Sequence, residues 1–69
     1  MTWIVYVLKC SDGTFYTGIT NNLKSRITAH QNGKGAKYTR GRGPFLIFYK
    51  ENCKSRSIAS KREIEIKKL

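Results

Sequence analysis

The side chains able to do chemistry here are few. Two tyrosines, Tyr6 and Tyr16, are followed at fixed offsets by Gly18, Arg26 and His30, and the only carboxylates are Asp12, Glu51, Glu63 and Glu65. Cleaving a phosphodiester needs an activated water, a cation to hold the phosphate and usually a metal to take developing charge. Magnesium and manganese are hard ions that prefer carboxylate oxygens. Asp12 is claimed by a turn and Glu51 by a polar connector, while Glu65 lies on the polar side of a helix. Glu63 alone combines a helical position with a partly inward aim. One carboxylate cannot build a two-metal site, so a single ion completed by waters and substrate oxygens is the most this set supports.

The elements that must position these groups follow from the local pattern. Trp3 to Leu8 is an unbroken apolar and aromatic run rich in β-branched residues, the mark of a strand covered on both faces. Ser11-Asp12-Gly13 is a turn, and Thr14 to Gly18 returns as a second strand. A two-residue Asp-Gly loop would put Tyr6 and Tyr16 on opposite faces. A three-residue loop with a left-handed Gly13 pairs Cys10 with Thr14, Leu8 with Tyr16 and Tyr6 with Gly18, so both phenols share one face. The three-residue loop is expected.

Thr20 or Asn21 caps a helix that Gly33 closes just after Asn32. Leu23, Ile27 and His30 form its buried stripe, and Arg26 lies one turn from His30 on the same side. Taken alone, such an arginine has its stem packed and its head in water. Taken alone, such a histidine is a satisfied core residue.

Gly33 to Gly43, G-K-G-A-K-Y-T-R-G-R-G, combines glycines, cations and one tyrosine without apolar periodicity. Bare amides, Lys34, Lys37, Arg40 and Arg42 suit a phosphate backbone, with a base stacked on Tyr38. A solvated loop is the plainer reading. No Gly-Lys-Ser/Thr follows, so this is not a P-loop. Phe45 to Lys50 after Pro44 is a third strand, with Leu46 and Phe48 alternating against Phe45, Ile47 and Tyr49. Glu51 to Lys54 is the connector. Ser55 or Ser57 starts a last helix whose stripe is Ile58, Ala59, Ile66 and Leu69, with Arg62 inside it, Glu63 on its shoulder and Ile64 pointing elsewhere. The order β-β-α-β-α implies an α/β (α+β) fold, a three-stranded, mainly antiparallel sheet flanked by helices.

Sixty-nine residues make one domain with a thin core. Cys10 and Cys53 fit no disulfide framework, and with His30 they fall one ligand short of a closed zinc site, so both are expected as reduced thiols. No apolar run approaches a membrane span and no signal-peptide pattern opens the chain, so a soluble cytoplasmic protein is expected, and a monomer is the expected state. Fourteen Lys and Arg against four acids give a net charge of +10, a field that favours polyanions. Neither helix has the broad apolar face a membrane surface would need. Nucleic acid is the expected partner, with RNA left open.

Ile4-Val5-Tyr6, Tyr16-Thr17-Gly18, Arg26, His30 and Glu63, in that order, resemble the GIY-YIG nuclease superfamily and its module in the UvrC repair enzyme. Ile4 stands in place of the family's glycine, and Val5 and Thr17 in place of its isoleucines. The glycine-rich run is similar to that of the small single-domain bacterial members, the YhbQ-like UPF0213 group. The resemblance covers nearly the whole chain and implies one GIY-YIG domain over 1–69. It also implies a divalent-metal-dependent endonuclease that hydrolyses DNA, structured or branched forms included, in repair or processing with low sequence specificity. By position, Arg26 would grip the scissile phosphate and Glu63 would hold one Mg²⁺ or Mn²⁺. Tyr6 or Tyr16 would activate or orient the attacking water, and His30 would assist by hydrogen bonding or proton transfer. A phenol titrates near 10, so it needs neighbouring cations to act as a base at neutral pH; Arg26 and the basic field push that way. The alternative is a nucleic-acid-binding module of the same fold that does not cleave.

Overall fold

The computed structural model describes residues 2–35 and 39–69, and among these residues the chain forms three strands and two helices. Strand β1, Trp3–Lys9, is central, with β2, Phe15–Thr20, on one side and β3, Leu46–Cys53, on the other, all antiparallel. Its apolar run is explained by this position: Val5, Tyr6, Val7 and Leu8 are all buried. Alternation along β1 sends Tyr6 and Leu8 to one face and Val5 to the other. Tyr6, Leu8, Cys10 and Phe45 pack with Leu23 and Ile27 on the first face, while Val5, Cys53 and Ala59 pack with Trp3, Ile19 and Ile66 on the second. The thiols are free, buried and split between these clusters.

The hairpin has the expected three-residue loop. Cys10 N donates to Thr14 O at 2.8 Å, Gly13 is left-handed with φ of 85°, and Leu8 faces Tyr16 while Tyr6 faces Gly18. Asp12 holds the turn by accepting from the Thr14 amide at 3.1 Å and the Thr14 hydroxyl at 2.6 Å.

Helix α1 is Leu23–Gln31, and its cap is Asn22, not Thr20 or Asn21. Asn22 Oδ1 accepts from Ser25 N at 3.1 Å, and the Thr20 hydroxyl accepts from Asn22 N at 3.0 Å. Thr20 thus fixes the turn that presents the cap. Gly33, with φ of 75°, ends the helix as expected.

The third strand departs most from the sequence pattern. It begins at Leu46 and continues through Glu51 and Asn52 to Cys53, where a connector was expected. Glu51 pairs with Val5 in the ladder and accepts hydrogen bonds from Tyr49 Oη at 2.5 Å and Arg62 Nε at 3.1 Å. Those partners carry a carboxylate inside a sheet. The alternation from Phe45 to Tyr49 is also broken, because Val7 faces Tyr49 while Leu8 faces Ile47, leaving Phe48 as an extra residue at a bulge.

Helix α2, Arg56–Lys67, is capped by Ser55, whose Oγ accepts from Ile58 N at 3.2 Å. Ala59 is fully buried where this helix meets the sheet. Ile66 packs as expected, but Ile58 and Leu69 are exposed, so the buried stripe is shorter than the spacing suggests. Ile64 is exposed. Arg56 lies over the Trp3 ring, 5.6 Å from its centroid. Among the described residues no helix is long and apolar enough to cross a membrane.

Candidate active site

The hairpin register puts Tyr6 and Tyr16 side by side on the α1 face, with ring centroids 6.3 Å apart. Gly18, opposite Tyr6, leaves the room for this; a Cβ there would stand 2.7 Å from the Tyr6 hydroxyl. Helix α1 supplies Arg26 and, one turn later, His30. The His30 ring lies edge-on to Tyr16 at 5.2 Å and to Tyr6 at 6.0 Å. Its Nε2 is 2.9 Å from Tyr6 Oη and its Nδ1 is 2.7 Å from Thr39 Oγ1.

Exposure separates the two phenols. Tyr6 is 0% exposed and His30 1%, whereas Tyr16 is half-buried and reaches solvent. Arg26 is also half-buried, and its guanidinium interacts with both phenols by hydrogen bonding and by charge, Tyr6 first. A guanidinium only donates, so the buried Tyr6 proton finds its acceptor in Nε2 of His30. A neutral ring that accepts at Nε2 has its proton on Nδ1, which lies beside Thr39 Oγ1.

The electrostatics agree with that arrangement. Burial pushes the Tyr6 phenol above its ordinary 10.0, and Arg26 only partly offsets it; the Tyr16 and Glu63 charges push it further up. Arg26 does push the Tyr6 phenol down as expected, but desolvation outweighs the guanidinium and the net shift is upward. Burial, and secondarily the charge of Arg26, hold His30 below its usual 6.5, so the ring is neutral at neutral pH.

Glu63 enters from α2, with its side chain 21% exposed, and makes an ion pair with Lys67 Nζ at 2.9 Å. It acts on Tyr6 through its charge. Among the described residues no three His, Cys, Asp or Glu side chains come together as a metal cage. The donor set is therefore one carboxylate, which suits an ion that keeps much of its own water shell. The other acids are used elsewhere: Asp12 in the turn and in an ion pair with Arg42, Glu51 and Glu65 on Arg62.

Of the loop residues expected to touch nucleic acid, Lys34 and Arg40 are exposed, Arg42 is held by Asp12, and Lys37 and Tyr38 lie outside the described residues. Two residues of this loop were not anticipated as part of the cluster. Thr39 is buried against His30, and Gly35 is so close to the same ring that a Cβ would overlap Nδ1. No periodicity or motif marks either one.

Comparison with known proteins meets this geometry at residues 2–69, which match a family model described as the GIY-YIG catalytic domain. The chain belongs to the GIY-YIG family. Within it, the chain is 56% identical over 68 residues to a UPF0213 protein of Desulfotalea psychrophila, covering 97% of this chain and 62% of that one. It is 58% identical over 65 residues to a UPF0213 protein of Clostridium perfringens, covering 94% and 70% respectively. The solution structure of a UPF0213 protein from Bacillus halodurans superposes with a TM-score of 0.60 at 48% identity, over 100% of this chain and 73% of that one. A solved protein from E. faecalis gives a TM-score of 0.67 at 42% identity, over 100% and 74%. The chain thus spans a little under two thirds of the Desulfotalea relative. The GIY-YIG family and the three-stranded antiparallel α+β fold stand as expected from the sequence.

Proposed function

We propose that this chain is a divalent-metal-dependent endonuclease that hydrolyses DNA phosphodiester bonds with low sequence specificity, in DNA repair or processing. The observation that carries the reading is the convergence of Arg26 on two phenols backed by a buried neutral histidine, with the Glu63 charge within reach. Arg26 grips the scissile phosphate and neutralises charge that builds on its oxygens as the ester bond breaks. Tyr6 is buried, so Tyr16 is the phenol that meets the attacking water and orients it. The water oxygen bonds to phosphorus, its proton leaves to solvent along the Tyr16 hydroxyl, and the departing oxygen is reprotonated from solvent. Glu63, released from Lys67, would hold one Mg²⁺ or Mn²⁺, which supplies charge neutralisation at the phosphate. His30 assists by hydrogen bonding from behind. Lys34 and Arg40 hold the flanking backbone.

A non-cleaving nucleic-acid-binding module is the second reading, favoured by the pairing of Glu63 with Lys67. Plasmid nicking with Mg²⁺, Mn²⁺ or EDTA separates the two. The endonuclease reading expects Arg26→Ala and Glu63→Gln to abolish cutting while DNA binding persists. Equal cutting by wild type and both variants would sink it, as would a wild type that binds DNA and never nicks.

A further inference from the structure

We propose that Thr39 is a positioning residue for Arg26: its buried hydroxyl holds Nδ1 of His30, which turns Nε2 toward the Tyr6 hydroxyl and leaves the phenol oxygen facing the guanidinium. The inference rests on the endonuclease reading for its catalytic consequence, though not for its geometry.

The links run in one direction. The Arg26 guanidinium acts on the Tyr6 oxygen, Tyr6 Oη lies 2.9 Å from Nε2 and Nδ1 lies 2.7 Å from Thr39 Oγ1, so a proton on Nδ1 makes each link a donor meeting an acceptor. Tyr6, His30 and Thr39 are each at most 1% exposed, so water cannot replace any partner. Thr39 is itself anchored from the hairpin. Arg42 N donates to Thr39 O at 3.1 Å, and Arg42 O accepts from both Ser11 N and Ser11 Oγ at 2.9 Å. The tight turn therefore fixes the loop that fixes the imidazole. Gly35 closes the other side of Nδ1 and denies the ring space to swing.

Without the Thr39 hydroxyl, a proton on Nδ1 would be buried with no acceptor. A neutral ring escapes by carrying its proton on Nε2 instead. Nε2–H then donates to the Tyr6 oxygen, competes with Arg26 for it and leaves the phenol proton without its acceptor. The guanidinium loses its anchor although no residue touching substrate has changed.

The test is ¹⁵N NMR of the His30 ring in the metal-free, DNA-free protein at neutral pH, alongside plasmid nicking with Mg²⁺. Wild type and Thr39→Ser should carry the proton on Nδ1, and Thr39→Val on Nε2. A misplacement of about 1 Å at a catalytic group can cost roughly 100-fold in rate, and a fall of up to that order is expected in kcat for Thr39→Val, with Thr39→Ser close to wild type. KM should change little, since a transition-state contact is what weakens. Gly35→Ala, which displaces the same ring by a different route, should also shift the ring signature and carries the test if Thr39→Val does not fold. A proton on Nε2 in wild type would overturn the proposal, as would a folded Thr39→Val with unchanged tautomer and kcat. A wild type that nicks nothing would defeat the endonuclease reading alone, and the ring signature would then decide the role of Thr39.

Discussion

Gly18 is the residue on which the two phenols depend, because it alone leaves the Tyr6 ring its place. In Gly18→Ala the new methyl, 2.7 Å from the hydroxyl and 2.8 Å from Cζ, must push the ring aside. A misplacement of about 1 Å can cost roughly 100-fold in rate, and a loss of that order in nicking is expected with DNA affinity retained. His30 and Tyr6 also set two edges on stability. Unfolded His30 takes up a proton near 6.5 while the folded ring resists it, so stability falls as pH drops below 6.5. Unfolded Tyr6 releases its proton near 10.0 while the folded phenol keeps it, so stability falls again as pH rises past 10. Thermal melts across this range should show both edges in wild type, with the lower one weakened in His30→Gln. That Tyr6 and Tyr16 share a sheet face, and Arg26 and His30 one side of α1, was legible in the sequence because strand parity and helix spacing are local rules. Which phenol reaches water was not, since that depends on what α1 and the loop lay over Tyr6.

At the scale of elements, α2 approaches the sheet closely only because Ala59 is small. Ala59→Leu should overpack this contact and destabilise by about 1–3 kcal/mol. For a domain this size each kcal/mol is a fall of roughly 4–8 °C in Tm, readable by circular dichroism. Activity should drop with it where Glu63, one turn along the same helix, is displaced. The hairpin register was legible because Ser-Asp-Gly admits few turns and only one puts both tyrosines together. The length of β3 was not legible, because Glu51, Asn52 and Cys53 look like part of a connector. The Arg62 bond to Glu51, made across elements from α2, and the Tyr49 bond two residues back along the strand explain a carboxylate there. The Phe48 bulge likewise leaves no trace in composition.

The whole molecule carries a net charge of +10, and its contact with DNA should be governed by release of counterions. Replacing exposed Lys34 and Arg40 together by alanine should weaken binding at all sequences and flatten the salt dependence by about one unit per lost contact. The nicking rate at saturating DNA should survive, because neither residue belongs to the cluster around Arg26. Fluorescence anisotropy over a salt series reads the first effect and plasmid nicking the second. The two cores on either side of one sheet have a further consequence for the cysteines. Cys10 follows the far end of β1, whereas Cys53 pairs with Trp3 at its start, seven residues earlier (10 − 3 = 7) and on the other face. At about 3.3 Å per residue the two Cα atoms stand roughly 23 Å apart, and a disulfide closes only when they lie within about 7 Å. The native chain therefore cannot staple itself, and an internal cross-link found after oxidative stress would be a chemical record that the sheet had once come apart.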